Sequence, residues 1–393
     1  MYNPTMNDTS TQISGEGAEK LEMKLVSADS HIVEPPNCYS DYIDPAWRDR
    51  APRIQRNDSG ADYFEVPGMP KKITLGLTAA AGIRPDALSF DQVTFDQLHR
   101  GGWDAKARMA DQDRDGIVAE IIYPSVGMVL CNHPDAAYKA ACFKAYNRWL
   151  QEFVGGAPGR LFGLGQTAAT SVEETIKDLQ LIREMGFVGV MLPGMPATEF
   201  DYDDPRYDPV WQACVDLKLP ICFHVLTGGS NPAAKFGVDT RGTKVAHSQH
   251  VTIRLNQDLV ALFIWGRIFE RFPDLKMVCT EADAGWAPHF MYRMDHFYSR
   301  HRYWSKTEEM AQVPSAYFLN NIYLTFQDDW SAFRQVRDLN PRRLLWANDF
   351  PHSDSTWPIS REMLKVHTAE LTDQQKQWIL HDNTVELFGL EIA

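Results

Sequence analysis

The sequence predicts an α/β fold, a distorted (β/α)8 TIM barrel with a long insertion after its first strand. Three observations carry that expectation. Short apolar runs alternate with amphipathic helical stretches, the pattern of parallel strands joined by crossover helices. There are eight such runs, the number that closes a barrel. Several of the runs end in polar residues able to bind a metal, and the C-terminal strand ends are where a barrel gathers its chemistry.

In chain order, residues 1–22 are rich in Asn, Thr, Ser, Gly and Glu and read as a polar tail of low order, leaving 23–393 as one barrel domain. The expected strands are Lys24–Ala28, Val118–Tyr123, Leu161–Gln166, Val188–Leu192, Ile221–Val225, Lys276–Thr280, Ile322–Thr325 and Leu344–Ala347. Between them the apolar spacing predicts helices over Asp104–Gln112, Asp135–Val154, Ser171–Met185, Pro209–Leu217, Val251–Arg271, Ala287–Arg302 and Trp330–Asp338. Ser171 has Glu174 three residues on and Gly186 closes the far end, so that helix carries its own start and stop signals. Residues 32–103 fit neither period and are punctuated by Pro, Gly and Asp, so they read as an insertion serving as a lid or a subunit contact.

Composition narrows the function. At 393 residues, with 44% hydrophobic and 23% charged, the chain can bury a large core. The formal net charge of -13 repels phosphate backbones and anionic lipid, so neither nucleic acid nor membrane is an expected partner. With no long apolar run and no secretory leader pattern, a cytoplasmic location is expected, with a small-molecule substrate and a homodimer as partners. The six cysteines show no C-x2-C spacing and read as free, buried thiols, so any metal must use other ligands.

Those ligands stand at strand ends. The first run ends Ala28-Asp29-Ser30-His31, and strand alternation turns Asp29 and His31 the same way, into the barrel mouth. The fifth ends in His224 and the eighth exposes Asp349. Each alone has a plain alternative, a hydrogen-bonded core histidine or a turn-capping aspartate. Together, two imidazoles and two carboxylates suit zinc first, with iron or manganese also compatible. The sixth run ends at Glu281, a candidate acid/base, a further oxygen ligand of a two-metal site, or the partner of Arg293. Tyr123, Trp286, His289 and Arg293 are candidates for substrate contact, with Gln166, His247 and His250 also near strand ends but equally readable as packing or surface.

The residues also resemble a known family. Asp29-Ser30-His31, Asp113-Arg114-Asp115-Gly116-Ile117, Ala145-Tyr146-Asn147-Arg148-Trp149-Leu150, Phe187-Val188-Gly189-Val190, His224, Phe272-Pro273-Asp274-Leu275-Lys276 and Asn348-Asp349-Phe350-Pro351-His352 are similar, in order, to motifs of the amidohydrolase-related branch that includes aminocarboxymuconate-semialdehyde decarboxylase. The resemblance implies one catalytic divalent metal held by Asp29, His31, His224 and Asp349. It departs after strand six, where those decarboxylases present an acid/base histidine and this chain has Thr280-Glu281-Ala282. The first expectation is therefore a hydrolase, in which metal-activated water attacks a small organic acid, ester, thioester, amide or aromatic substrate, with Asp349, Glu281 and His224 as catalytic groups. The alternative is a metal-dependent non-oxidative decarboxylase of an aromatic or enoic acid. A barrel that merely holds a structural metal is disfavoured, because such sites are usually built from Cys and His and here the cysteines avoid the strand ends.

Overall fold

The structure is a computed structural model that describes residues 20–69, 72–228 and 252–393. Its strands are Leu25–His31 (β1), Arg53–Arg56 (β2), Asp62–Glu65 (β3), Ile73–Thr74 (β4), Ile117–Tyr123 (β5), Leu161–Gln166 (β6), Gly189–Met191 (β7), Ile221–His224 (β8), Met277–Thr280 (β9), Ile322–Phe326 (β10) and Leu344–Trp346 (β11). Eight of them form one sheet in the order β1-β5-β6-β7-β8-β9-β10-β11. Every neighbouring pair in it is parallel. Each barrel strand lies where an apolar run was expected, because a strand covered on both faces needs a continuous apolar stretch.

Closure comes from the two edges. The backbone N–H of Asp349 donates to Asp29 O at 3.1 Å, and that of His31 donates to Phe350 O at 2.7 Å. The Asn348 N–H donates to Ser27 Oγ at 3.0 Å. The segment that follows β11 is thus laid against β1, so residues 29 and 349 become neighbours across some 320 residues of chain.

The helices follow their local chemistry. Asp104, Asp135 and Ser171 each accept a backbone N–H in the first turn of the helices Ala105–Asp115, Ala136–Gly155 and Val172–Glu184. The stretch expected as one helix over Val251–Arg271 is two, Arg254–Trp265 and Ile268–Arg271, because the chain turns left-handed at Arg267 with φ 57°. Residue 251 lies outside the described residues.

The insertion is more ordered than its sequence suggested. β2, β3 and β4 form a small antiparallel sheet beside the barrel. These strands are only four, four and two residues long, too short to show a period. Residues 1–19 of the expected tail lie outside the described residues. Leu21, at its end, is buried and exchanges backbone and side-chain hydrogen bonds with Arg361. All six cysteines are free and buried. Among the described residues, no helix is long and apolar enough to cross a membrane.

Candidate metal centre

The barrel mouth brings together side chains from four strand ends. β1 supplies Asp29 and His31, β8 ends at His224, Glu281 follows β9 and Asp349 follows β11. Glu281 and Asp349 both take left-handed backbone, φ 53° and 50°. For a residue with a Cβ that conformation costs on the order of 1 kcal/mol, and such strain gathers at functional sites. The surroundings hold Glu281 in it, since its N–H donates to Thr325 Oγ1 at 2.7 Å.

The imidazoles are oriented by their outer nitrogens. His31 Nδ1 donates to Pro124 O at 2.9 Å, and His224 Nδ1 donates to Val225 O at 2.9 Å. With Nδ1 committed outward, each ring turns Nε2 to the centre, the second-sphere arrangement of metal-binding histidines. Burial presses both rings toward the neutral form and prevails at His31, whereas at His224 hydrogen bonding and charge from Asp29 outweigh it and raise the imidazole. The two Nε2 atoms stand 3.2 Å apart. Asp29 Oδ1 lies 3.4 Å from His31 Nε2 and 3.7 Å from His224 Nε2. Asp349 Oδ1 lies 3.4 Å from His31 Nε2, and Glu281 Oε2 lies 3.3 Å from His224 Nε2.

These atoms fit a cation. Asp29 Oδ1 and both carboxylate oxygens of Asp349 are buried without a hydrogen-bond partner. Unpaired buried acceptors are costly, and lone pairs facing one another at these distances repel. Ligands bonded to one ion at about 2.0–2.2 Å stand roughly 3–4 Å from each other, the spacing of the pairs just given. Ligand atoms of Asp29, His31, His224 and Glu281 lie within 4.8 Å of one another, and Asp349 joins His31, Glu281 and His352 in an overlapping group. The charges say the same. Burial raises the Asp349 carboxyl well above the usual range, with Glu281, Asp29 and Asp354 adding to the push. Burial lifts Glu281 to about 8, and Asp29 among other carboxylates reinforces it against His224. For Asp29 burial acts upward but is outweighed by the attraction of His224 and His31 in their protonated forms, so its carboxyl is held low. A pocket so crowded with acceptors is relieved by positive charge.

A buried ion pair frames the site. Arg108 and Glu120 are both fully buried, with Nε donating to Glu120 Oε2 at 2.6 Å. The same guanidinium donates to His31 O at 2.7 Å and to Phe350 O at 3.1 Å, tying the end of β1 to the segment after β11. Gln112 and Ser30 hydrogen-bond the remaining capacity of Glu120. The sequence reading missed this pair, yet a lone Glu inside the apolar run Ile117–Tyr123 was its signal, because a charge there needs a buried partner. It also assigned no role to His352, which stacks on His31 with ring centroids 3.8 Å apart.

The expected substrate contacts fare differently. Tyr123 is fully buried behind the imidazoles, its ring 6.0 Å from His31 and 5.5 Å from His224, and its hydroxyl accepts from Thr280 Oγ1. It is a wall of the centre and meets no solvent. Trp286 turns its indole N–H to Ala282 O at 2.7 Å and packs against Phe290 and Phe318. His289 is exposed beside Tyr292, and Arg293 lines a separate groove with Trp265 and Phe297. Among the described residues, none of the contacts of Trp286, His289 or Arg293 is with the four clustered ligands, and Glu281 pairs with His224 in place of Arg293. Helical periodicity after β9 directs these side chains to packing and the surface. Gln166 is buried and clamped by Asn147. His247 and His250 lie outside the described residues.

The profile of the amidohydrolase family matches residues 95–390. The chain belongs to the amidohydrolase family. Solved structures share its fold at low identity. An amidohydrolase of Mycobacterium avium subsp. paratuberculosis K-10 is 18% identical, with 94% of this chain and 100% of that chain covered at a TM-score of 0.77. The 5-carboxyvanillate decarboxylase of Sphingomonas paucimobilis is 18% identical, with 94% and 100% covered and a TM-score of 0.66. A dihydroxybenzoic acid decarboxylase of Polaromonas sp. JS666, solved with bound manganese, is 16% identical, with 94% and 98% covered and a TM-score of 0.62. Among curated proteins, decarboxylase orsB of Emericella nidulans is 22% identical over 223 residues, 54% of this chain and 64% of that protein. That alignment spans less than two thirds of the fungal protein. This amidohydrolase therefore shares its barrel with enzymes whose names are mostly those of decarboxylases.

Proposed function

We propose that this amidohydrolase is a metal-dependent, non-oxidative decarboxylase of an aromatic acid. The observation that supports the metal dependence is the crowding of unpartnered acceptors in the buried barrel mouth, where two imidazole Nε2 atoms stand 3.2 Å apart and oxygens of Asp29 and Asp349 are orphaned. Asp29, His31, His224 and Asp349 hold the divalent cation in this reading. Manganese is the favoured ion over zinc, because the nitrogen and oxygen donors suit either and a decarboxylase of the same fold was solved with manganese. When bound, the cation supplies positive charge that neutralises and orients an anionic substrate.

Glu281 supplies the proton. Its side chain is 24% exposed whereas those of Asp29 and Asp349 are fully buried, so it is the carboxyl of the cluster open to the mouth. It occupies the strand end where the resembling decarboxylases carry histidine. The bond between ring carbon and carboxylate breaks, its electron pair stays on carbon and takes the Glu281 proton, and carbon dioxide leaves. Glu281 then recovers a proton from solvent. The relatives favour this reading over hydrolysis, the first expectation from sequence, since the curated match and two of the three solved structures described are decarboxylases.

Turnover of a panel of hydroxylated aromatic acids by manganese-loaded protein in D2O enriched in oxygen-18 tests it. The expected outcome is carbon dioxide release with deuterium at the vacated ring carbon and no solvent oxygen in the aromatic product. Glu281→Gln is expected to slow deuterium delivery by about 10²–10⁴-fold, the usual contribution of a positioned acid. Product carrying oxygen-18, with no carbon dioxide, would instead establish hydrolysis.

A further inference from the structure

Leu226 holds a backbone conformation that its side chain opposes. Two residues past His224 it takes the left-handed region, φ 69°, and Val225 before it does not. The N–H of Thr227 donates to His224 O at 3.4 Å, closing a turn over His224–Thr227. A turn that is left-handed only at its third residue is type II, and that position favours glycine or asparagine. Leucine there is strained by its Cβ. Burial does not offset the strain, since the residue is 48% exposed and lies outside the hydrophobic core. What holds the turn is backbone: Leu226 O accepts from Asn132 Nδ2 at 2.8 Å, and Thr227 O accepts from the Gly194 N–H at 3.0 Å. Glycine at 226 would leave both bonds in place and remove the strain.

Those two bonds also place the residue. In the barrel order β6 and β7 stand between β5 and β8, yet Asn132 belongs to the segment after β5, just beyond the short helix Val126–Leu130. The turn after β8 therefore reaches past the ends of β6 and β7 to bond it, carrying an exposed leucine at the C-terminal face of the barrel. The bond to Gly194 ties in the segment after β7, whose next residue, Met195, is also an exposed apolar side chain. Among the described residues this face is thus apolar where β7 and β8 end, and carries the carboxyls of Glu281 and Asp349 where β9 and β11 end.

We infer that Leu226 is a specificity-determining residue, whose side chain lies against the ring of the substrate and selects acids with a flat apolar body. The inference deepens the decarboxylase reading and rests on it for the class of substrate. A strained backbone persists where its surroundings hold it, and such strain gathers at ligand clamps. Here the fold itself draws no packing from the leucine, so a ligand is the partner left for its apolar surface. Pockets for aromatic ligands are built in this way, from apolar walls with a few polar groups that fix orientation. The polar ends of β1, β9 and β11 then face the carboxylate, and Leu226 faces the ring.

Calorimetric titration of the manganese-loaded full-length protein tests this, with salicylate as the aromatic acid and lactate as an acid that offers a carboxylate and a hydroxyl without the ring. Leu226→Gly is expected to weaken salicylate about tenfold, the low end of what a lost apolar contact does in a pocket, and to leave lactate unchanged. Its melting temperature is expected at or above that of wild type, because the strain is gone. Leu226→Met keeps both the apolar bulk and the strain, and is expected to bind salicylate as wild type does. Wild type taking up no salicylate, or Leu226→Gly binding it as tightly as wild type, would overturn the assignment and leave the decarboxylase reading standing. Equal weakening of both acids, or a melt below wild type, would do the same by giving the leucine a structural use. A loss confined to salicylate, in a protein that releases carbon dioxide from no aromatic acid, would uphold Leu226 and overturn the decarboxylase reading instead.

Discussion

Asp349→Asn is expected to lose manganese and turnover together while the apoprotein remains at least as stable as wild type. Both Asp349 oxygens are buried and unpartnered, so in the absence of a cation the charge is a burden on the fold. Asparagine removes that charge and inserts an NH2 donor among lone pairs that await a cation. Metal affinity should fall by more than about 100-fold, since losing even an outer-sphere partner costs 10–100-fold. Thermal melts with and without manganese separate the effects. Wild type gains roughly 2.7 kcal/mol when metal exceeds its dissociation constant a hundredfold, whereas the variant gains nothing measurable. A variant that keeps metal-linked stabilisation and turnover would remove Asp349 from the centre.

The second large effect lies one layer out. Arg108→Met keeps length and apolar volume but leaves Glu120 as an uncompensated charge in a fully buried position. Breaking a buried pair this way costs about 3–5 kcal/mol. It also releases the carbonyls of His31 and Phe350, so metal affinity should fall along with stability. Adding Glu120→Gln to the same chain should recover much of the stability by removing the stranded charge. It should not recover metal affinity, because the guanidinium that joins β1 to the β11 end is still missing. Chemical denaturation of the single and double variants distinguishes these outcomes; equal stability of the two would refute the stranded-charge account.

The barrel was legible in the sequence because strands covered on both faces leave apolar runs, and helix ends leave caps such as Ser171. Asp29, His31, His224 and Asp349 were legible because they close such runs with polar side chains; the fold groups the first three with Glu281, and Asp349 with His31, Glu281 and His352. What escaped depends on tertiary geometry. The Arg108–Glu120 pair joins a helix to a strand, and only the solitary charge within β5 hinted at it. Which nitrogen of a histidine carries the hydrogen is set by what each nitrogen meets, and for His352 that partner, Ser125, lies 227 residues away in the chain. Helical spacing after β9 made Trp286, His289 and Arg293 look like a pocket wall, but that helix turns them to packing, solvent and a different groove.

The most direct test is anomalous diffraction from crystals of the manganese-loaded protein. A peak bonded to Asp29, His31, His224 and Asp349 at about 2.1–2.3 Å is the predicted result, consistent with the size of the ion. Fully ordered side chains with no peak between them at saturating metal, or a peak held elsewhere on the chain, would contradict the account.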